Sequence, residues 1–424
     1  MASARNNVVV VGTGYVGLTS GACLATLGHQ VICVDNDQTK LKAIESGNLP
    51  IYEPGLDEIV SEQLSNGNLK LSSDLQTAVS DAEFVFLCLP TPPQSDGSAD
   101  ISILLSVVET LRSFIPAGVV VINKSTVPVT SSRQVQLLLG DDNPVVANPE
   151  FLREGSAVSD FLNPDRIVIG SESQQAAQLV AGLYGSLSAP IVFTDPASAE
   201  TIKYMANSFL AAKISFVNEV ARFSHHVGAD AQEVLRGLSF DERIGSQYLS
   251  PGPGWGGSCF PKDTKALLAS ARSFGLEMPM VENAIHSNEL HFEFIVETIR
   301  KEADTYASPV IAVLGLSFKA MTDDVRESPA VRIAENLKNL GYTLQAYDPM
   351  AKGPESLADT RVQSVEDALR GAHVTVILTE WAEFADIEPS KLSSLMIGRS
   401  VVDSRYIIDK RLFEAADFRV LTVG

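Results

Sequence analysis

Short apolar runs recur along the first half of the chain, at residues 8–11, 30–34, 84–89, 119–123, 145–148, 167–170 and 191–193. Each reads as a buried strand. Helical stretches alternate with them, as in a parallel sheet flanked by helices. From 197 to about 226 the pattern changes. Small and apolar residues fall on more than one face of one long predicted helix. Further helices are expected over 229–238, 263–275 and 279–304. Strand-like runs return at 310–314, 344–348, 374–378 and 400–403, with a helix over 328–340. The expected class is therefore α/β: a doubly wound N-terminal sheet, an all-helical middle serving as linker or dimer interface, and a second, similar α/β domain. Boundaries are expected at 1–196, 197–305 and 306–424, since 424 residues exceed one ordinary core.

The formal net charge of −20 argues against a nucleic-acid or anionic-membrane partner, because both need a basic surface. A local cluster of Lys and Arg still suffices for a small anion. No apolar run reaches the length of a membrane span, and the first strand runs straight into glycines rather than into a cleavage site. The cysteines at 23, 33, 88 and 259 have no paired spacing. The first three read as small buried hydrophobes, and the expected setting is a reducing, cytoplasmic one.

Candidate chemistry begins at Gly12-Thr13-Gly14-Tyr15-Val16-Gly17, with a strand before it, a helix after it, and Asp35 ending the next strand. That context fits a Rossmann-type dinucleotide fingerprint. Two glycines allow the turn and the pyrophosphate's approach, and the third allows close helix–strand packing. Asp35 would bond the adenosine ribose and repel a 2′-phosphate, so NAD is expected rather than NADP. Lys40 fits either a ribose partner or a solvated helix residue. Ligands bind outside the carboxyl ends of such strands, which is where Thr91, Thr126, Glu150 and Glu154 fall. Two acidic residues four apart also fit an exposed helical turn. Lys203 and Asn207 share one helix face, a turn apart, although a solvated lysine fits Lys203 as well.

The stretch with most chemistry is Pro253-Gly254-Trp255-Gly256-Gly257-Ser258-Cys259-Phe260-Pro261-Lys262-Asp263. Its glycines free the backbone for close approach to a ligand. A thiol beside a lysine in a polar loop loses its proton more readily, and the thiolate is the reactive form. A glycine-rich loop with an incidental cysteine is the plainer reading. The last domain echoes the first, but it lacks the three-glycine turn and carries Lys319 and Arg326 instead. That suits a phosphorylated ligand other than a dinucleotide, or an inert repeat.

Assembled in order, these motifs resemble the UDP-glucose/GDP-mannose dehydrogenase family over nearly the whole length. The carriers are the 12–17 turn, Ser125-Thr126-Val127-Pro128, Asn148-Pro149-Glu150-Phe151-Leu152-Arg153-Glu154-Gly155, Lys203 with Asn207, the 256–263 segment, and Phe318-Lys319 through Arg326-Glu327-Ser328. Glu154-Gly155-Ser156 and Arg243-Ile244-Gly245 are similar to members that act on UDP-glucose. Ser404 stands where many relatives have Gly before the arginine, which weakens the transfer onto Arg405. The resemblance implies a four-electron oxidation of UDP-glucose to UDP-glucuronate, using two NAD and no metal. Another nucleotide sugar is the alternative substrate.

By that resemblance, Cys259 forms a thiohemiacetal and then a thioester. Lys203, or a water held by Asp263, is the base. Glu150 activates the hydrolytic water, Lys203 and Asn207 hold the oxyanion, and Thr126 positions the water or nicotinamide end. Gly12 to Gly17, Asp35, Lys40, Thr91, Thr126, Glu154, Lys262 and Arg326 are expected to contact NAD. Glu150, Phe151, Leu152, Arg153, Glu154, Lys203, Asn207, Tyr248, Ser250, Gly254, Gly256, Cys259, Phe318, Lys319 and Arg405 are expected to contact the UDP-sugar. Arg243 is expected to reach the substrate of a neighbouring subunit, which implies a homodimer or an assembly of dimers.

Overall fold

In the computed structural model, which describes residues 5–423, the apolar runs become two sheets. The first contains β1 (Asn7–Val11), β2 (Gln30–Val34), β3 (Leu69–Ser72), β4 (Phe84–Leu87), β5 (Val120–Asn123), β6 (Val145–Ala147), β7 (Ile167–Gly170) and β8 (Ile191–Thr194). Its order is β3-β2-β1-β4-β5-β6-β7-β8, parallel except where β6 meets β7 at Ala147 and Gly170. The strand order reverses beside β1, between β2 and β4, the arrangement that opens a crevice at the carboxyl ends of the strands. The second sheet contains β9 (Val310–Leu314), β10 (Thr343–Tyr347), β11 (Val374–Ile377), β12 (Ser400–Asp403) and β13 (Arg419–Thr422). All its pairs are parallel, in the order β10-β9-β11-β12-β13.

The apolar runs lack polar alternation because both faces of each sheet are covered. Side chains of a strand alternate faces. Val8 and Val10 enter one core with Leu18 and Ile122, while Val9 and Val11 enter another with Leu87 and Val121. In the second sheet Ile311 and Val313 separate in the same way from Ala312 and Leu314.

The helices that matter for the site are α1 (Tyr15–Thr26), α2 (Ser131–Leu139), α3 (Pro196–Val227), α4 (Ala231–Ser239), α5 (Phe260–Ser273), α6 (Pro279–Ala303) and α7 (Pro329–Asn339). Asp230 caps α4 by accepting from Gln232 and Glu233 N–H groups. Pro279 and Pro329 sit in first turns, where no backbone donor is missed. One expectation is corrected here. The helix anticipated from residue 263 begins at Phe260, because the Cys259 carbonyl already accepts the first helical bond, from Asp263 N–H at 2.8 Å. Pro261 lies in that first turn and does not delay it.

The described chain forms two compact units. One holds the residues up to Ala206 together with Lys265–Leu276, and the other holds Asn207–Thr264 and everything from Glu277 on. No helix among the described residues is long and apolar enough to cross a membrane. Leu18, on α1, is fully buried, whereas Leu137, on α2, is 76% exposed. Leu18→Ala should therefore destabilise the fold by about 2–5 kcal/mol, and Leu137→Ala by less than about 0.5 kcal/mol, as read from urea-unfolding midpoints. Equal effects would show that Leu18 does not lie in the core.

Candidate active site

The glycine turn after β1 is shaped by contact. A Cβ on residue 17 would stand 1.8 Å from the Gly12 carbonyl oxygen, so α1 packs as closely as it does only with Gly17. Residue 14 is the opposite case: it is exposed, with nothing within 4 Å of the Cβ position. Gly14 caps α1 without any side-chain bond, and no acidic residue lies in its first turn. The first N–H groups of α1, with the positive end of its dipole, are thus left to an anion. Asp35 ends β2. Its Oδ2 accepts from Thr13 N–H at 2.9 Å, from Thr13 Oγ1 at 2.6 Å and from Lys40 Nζ at 2.6 Å. Burial raises its carboxyl, but Lys40 and Thr13 outweigh that and hold it well below the usual range. A fixed negative charge therefore stands at the end of β2 beside the glycine turn, an arrangement that fits a dinucleotide without a 2′-phosphate.

Buried polar groups collect at the ends of β5 and β6 in the same unit. Lys203 Nζ donates to Glu150 Oε1 at 2.9 Å, with the two side chains 4% and 7% exposed. The other Glu150 oxygen accepts from Leu152 N–H at 2.6 Å. Burial alone would raise the Glu150 carboxyl, yet Lys203 lowers it below its ordinary value, so it is a carboxylate. It is not part of an exposed helical turn. The Phe151 ring lies 5.3 Å from Lys203 Nζ and 3.6 Å from the Arg166 guanidinium. Thr91 Oγ1 donates to the Thr126 carbonyl at 2.8 Å. Thr126, Asn123, Glu200 and Lys203 line a cavity of about 10 Å³, room for roughly one water. Leu152 and Glu154 are half-buried, and Arg153 is exposed and paired with Asp160.

The other unit carries the cysteine loop. Cys259 is half-buried at the head of α5, where the helix dipole favours a negative charge. Four residues on, buried Asp263 accepts from Asn207 Nδ2 at 2.6 Å and from Lys262 Nζ at 2.7 Å. The lysine three residues after the cysteine is thus engaged with a carboxylate. Gly256 is fixed by a wall, since a Cβ there would lie 2.0 Å from the Glu327 carbonyl oxygen. The Phe318 ring stands against Gly257, and Lys319 Nζ lies 5.6 Å from that ring. Arg405 Nη2 donates to the Phe318 carbonyl at 3.0 Å, and its Nε donates to the Leu378 carbonyl at 2.9 Å. The departure at Ser404 is accommodated: its buried hydroxyl donates to the Ile377 carbonyl at 2.7 Å. Tyr248 adopts a left-handed φ of 59°, and Ser250 is exposed. Arg243 and Arg326 are exposed and pair with Asp241 and Asp324 on their own segments.

The second sheet explains why its glycine turn differs. Asp348, the counterpart of Asp35, accepts from Leu316 N–H at 2.8 Å and from Ser317 N–H at 2.9 Å. Ser328 caps α7 by accepting from Val331 N–H. Asp348 thus takes two turn N–H groups where Asp35 takes one, and the helix that follows starts with its own side-chain cap.

Sequence reasoning missed several groups. Buried Glu53 accepts from Tyr15 Oη and from the Gly155 and Ala157 N–H groups, joining the glycine turn to the segment after Glu150. An isolated glutamate before a proline carries no signal of this. Buried Lys124 donates to Asn148 Oδ1 at 3.1 Å. Burial, partly offset by Cys88 and Glu150, brings it down to about 8. Its place at the end of the fifth strand was the one available hint.

Lys124 makes stability depend on alkaline pH. Below about 8 it is charged in both the folded and unfolded chains; between about 8 and its ordinary 10.5 only the unfolded chain keeps the proton. The unfolded state then binds more protons, so this group's contribution to stability rises with pH across that window. The difference in unfolding free energy, wild type minus Lys124→Met, should be flat below the window and climb through it. A flat difference throughout would show that Lys124 titrates normally.

Three models of the UDP-glucose/GDP-mannose dehydrogenase family match: the NAD-binding domain at 6–188, the central domain at 197–290 and the UDP-binding domain at 312–410. UDP-glucose 6-dehydrogenase TuaD of Bacillus subtilis is 38% identical, over 98% of this chain and 93% of its own length. UDP-glucose 6-dehydrogenase of Rhizobium meliloti is 39% identical, over 98% and 99%. Among solved structures, a UDP-glucose dehydrogenase from Pyrobaculum islandicum superposes with a TM-score of 0.90 at 35% identity, covering 99% of this chain and 98% of that one. A UDP-D-ManNAc dehydrogenase from Pyrococcus horikoshii superposes with a TM-score of 0.88 at 29% identity, covering 98% and 99%. The chain therefore belongs to the UDP-glucose/GDP-mannose dehydrogenase family, with NAD as its cofactor.

Proposed function

We propose that the chain oxidises the C6 alcohol of UDP-glucose to the carboxylate of UDP-glucuronate, consuming two NAD and one water. The observation that carries this reading is Cys259 at the head of a helix whose first turn holds Asp263, itself joined to Asn207. A plain alcohol oxidation needs no thiol, whereas a four-electron oxidation needs a nucleophile to retain the aldehyde. The curated relatives named UDP-glucose 6-dehydrogenase support the choice of sugar. The Pyrococcus horikoshii likeness keeps a second reading alive, the same chemistry on another nucleotide sugar.

NAD, bound by the Gly12–Gly17 turn with Asp35 and Lys40, supplies the hydride acceptor. The residues do the rest. The hydroxyl proton at C6 goes to a base, either Lys203 in its neutral form, which becomes the ammonium on taking it, or a water held by Asp263. The Cys259 sulfur then adds to the aldehyde carbon and forms a C–S bond. Lys203 and Asn207, one turn apart on α3, hold the resulting oxyanion. The ion pair with Glu150 supports the ammonium form of Lys203, and hence this role. The second oxidation of the same carbon leaves a thioester on Cys259. Water, deprotonated by Glu150 and aligned by Thr126, adds to it and the C–S bond breaks. The acid departs and Cys259 is left as thiolate.

The three parts divide this work: 1–196 holds NAD, 197–305 carries Lys203, Asn207 and the cysteine loop, and 306–424 holds UDP. Thr91, Glu154, Lys262 and Arg326 are assigned to NAD. Phe151, Leu152, Arg153, Tyr248, Ser250, Gly254, Gly256, Phe318, Lys319 and Arg405 are assigned to the sugar nucleotide. The consumed donors of the second glycine turn support UDP over a dinucleotide there. A cytoplasmic setting is supported by the buried thiols of Cys23, Cys33 and Cys88.

We also propose a homodimer. Phe209, Phe216 and Phe223 recur every seven residues along α3 and are 69%, 56% and 67% exposed in the single chain. Residues seven apart lie on one helix face, and three exposed phenylalanines in line mark an interface. Arg243, exposed and paired with Asp241, is assigned to the neighbouring subunit's substrate.

With limiting UDP-glucose, two NADH per sugar and an acid product are expected. Cys259→Ser should form aldehyde adducts yet release acid more slowly by about 100-fold or more, since an alkoxide leaves less readily than a thiolate. One NADH per sugar, or acid release at the normal rate by Cys259→Ser, would refute the covalent step. In sedimentation equilibrium the wild type should have at least twice the 45.4 kDa of one chain, and Phe216→Asp with Phe223→Asp should shift it to one chain. A monomeric wild type would remove the dimer.

A further inference from the structure

The turn leading into Cys259 belongs to no strand or helix, and side chains meet its backbone polar groups instead. Gly252 N–H donates to Asn218 Oδ1 at 3.1 Å, and the Gly252 carbonyl accepts from His291 Nε2 at 2.8 Å. Trp255 N–H donates to Asn288 Oδ1 at 3.0 Å, and the Trp255 carbonyl accepts from Asn288 Nδ2 at 3.1 Å. The indole Nε1 donates to Ser215 Oγ at 2.8 Å, and that hydroxyl donates on to the Ala284 carbonyl at 2.8 Å. These anchors come from α3 and α6, and all lie within one compact unit.

Asn288 stands apart among them. One amide serves both backbone groups of one residue, as a neighbouring strand would. It comes close because residue 254 has no side chain: a Cβ there would lie 2.9 Å from Asn288 Oδ1, and Gly254 has a φ of +121°. The amide is only half-buried, so filling the core does not explain it.

We propose that Asn288 is a positioning residue for Cys259, whose amide presets the turn after Gly254 and so fixes where the sulfur stands at the head of α5. Without the amide, Trp255 loses the partners of both its backbone groups and the turn leaves its single arrangement. Cys259, four residues on, then loses its placement, and small misplacements of a nucleophile cost large factors in rate. The proposal rests on Cys259 being the reacting thiol, but not on which sugar is oxidised.

The test uses the full chain without substrates. Cys259 is alkylated with iodoacetamide and followed by peptide mass spectrometry in wild type, Asn288→Ala and the isosteric Asn288→Asp. Steady-state kinetics and melting temperatures are measured alongside. Asn288→Ala should slow alkylation about fivefold and lower kcat about tenfold, with the KM for NAD changed by less than about twofold. Asn288→Asp keeps the acceptor for Trp255 N–H and loses the donor to its carbonyl, so it should change both rates in the same direction without disturbing packing. Alkylation and kcat at wild-type values in both variants, whatever the melting temperatures, would reduce Asn288 to a structural brace. A fall in kcat matched by an equal rise in the KM for NAD would mean general loosening and would also overturn the proposal. Failure of the thiol reading shows separately, as full turnover by Cys259→Ala.

Discussion

A lysine and a glutamate face each other out of reach of water, and the carboxyl end of the first sheet is built around them. Either ion alone would cost several kcal/mol to bury. At 2.9 Å, with Leu152 N–H on the second carboxylate oxygen, Lys203 and Glu150 make that burial tolerable. The end of β6 and the first turns of α3 must therefore keep to one separation. Around the pair lie other polar groups that the core accepts only when partnered: Asn148 with Lys124 and Tyr184, and Glu200 on the N–H groups of Thr130 and Ser132. Dry, preset charge of this kind is what stabilises charge developing in a reaction.

The same demand for partners separates the two α/β domains. Both have a strand, a glycine turn, a helix and a second strand ending in aspartate. At β1 the turn leaves the helix N-terminus open, and Asp35 spends its bonds on Thr13 and Lys40. At β9 the aspartate takes two of the turn's N–H groups where Asp35 takes one, and Ser328 caps the helix. One topology thus offers two chemistries, because what a turn can bind is whatever donors its own chain has not used.

Much of this was legible beforehand. Runs such as 8–11 and 310–314 announce strands buried on both faces because each successive valine or isoleucine must meet a core. The 12–17 turn and Asp35 are legible because a phosphate needs bare backbone, which only glycines at fixed spacing supply. Lys203 and Asn207 fall on one face by helical arithmetic. The start of α5 was misjudged because a proline near a helix start is ambiguous in one dimension. Glu53, Asn218, Asn288 and His291 were invisible, because their partners lie far along the chain.

The chain's order of residues by itself determined the class of fold, the glycine turn with its aspartate, the cysteine loop and the family, since each rests on local spacing or on motifs read in sequence. Only the tertiary structure decided which charges are paired, which helix ends stay open, and what holds the cysteine loop in place. Those depend on burial and on hydrogen bonds between residues tens of positions apart, and no local pattern encodes a partner at that distance.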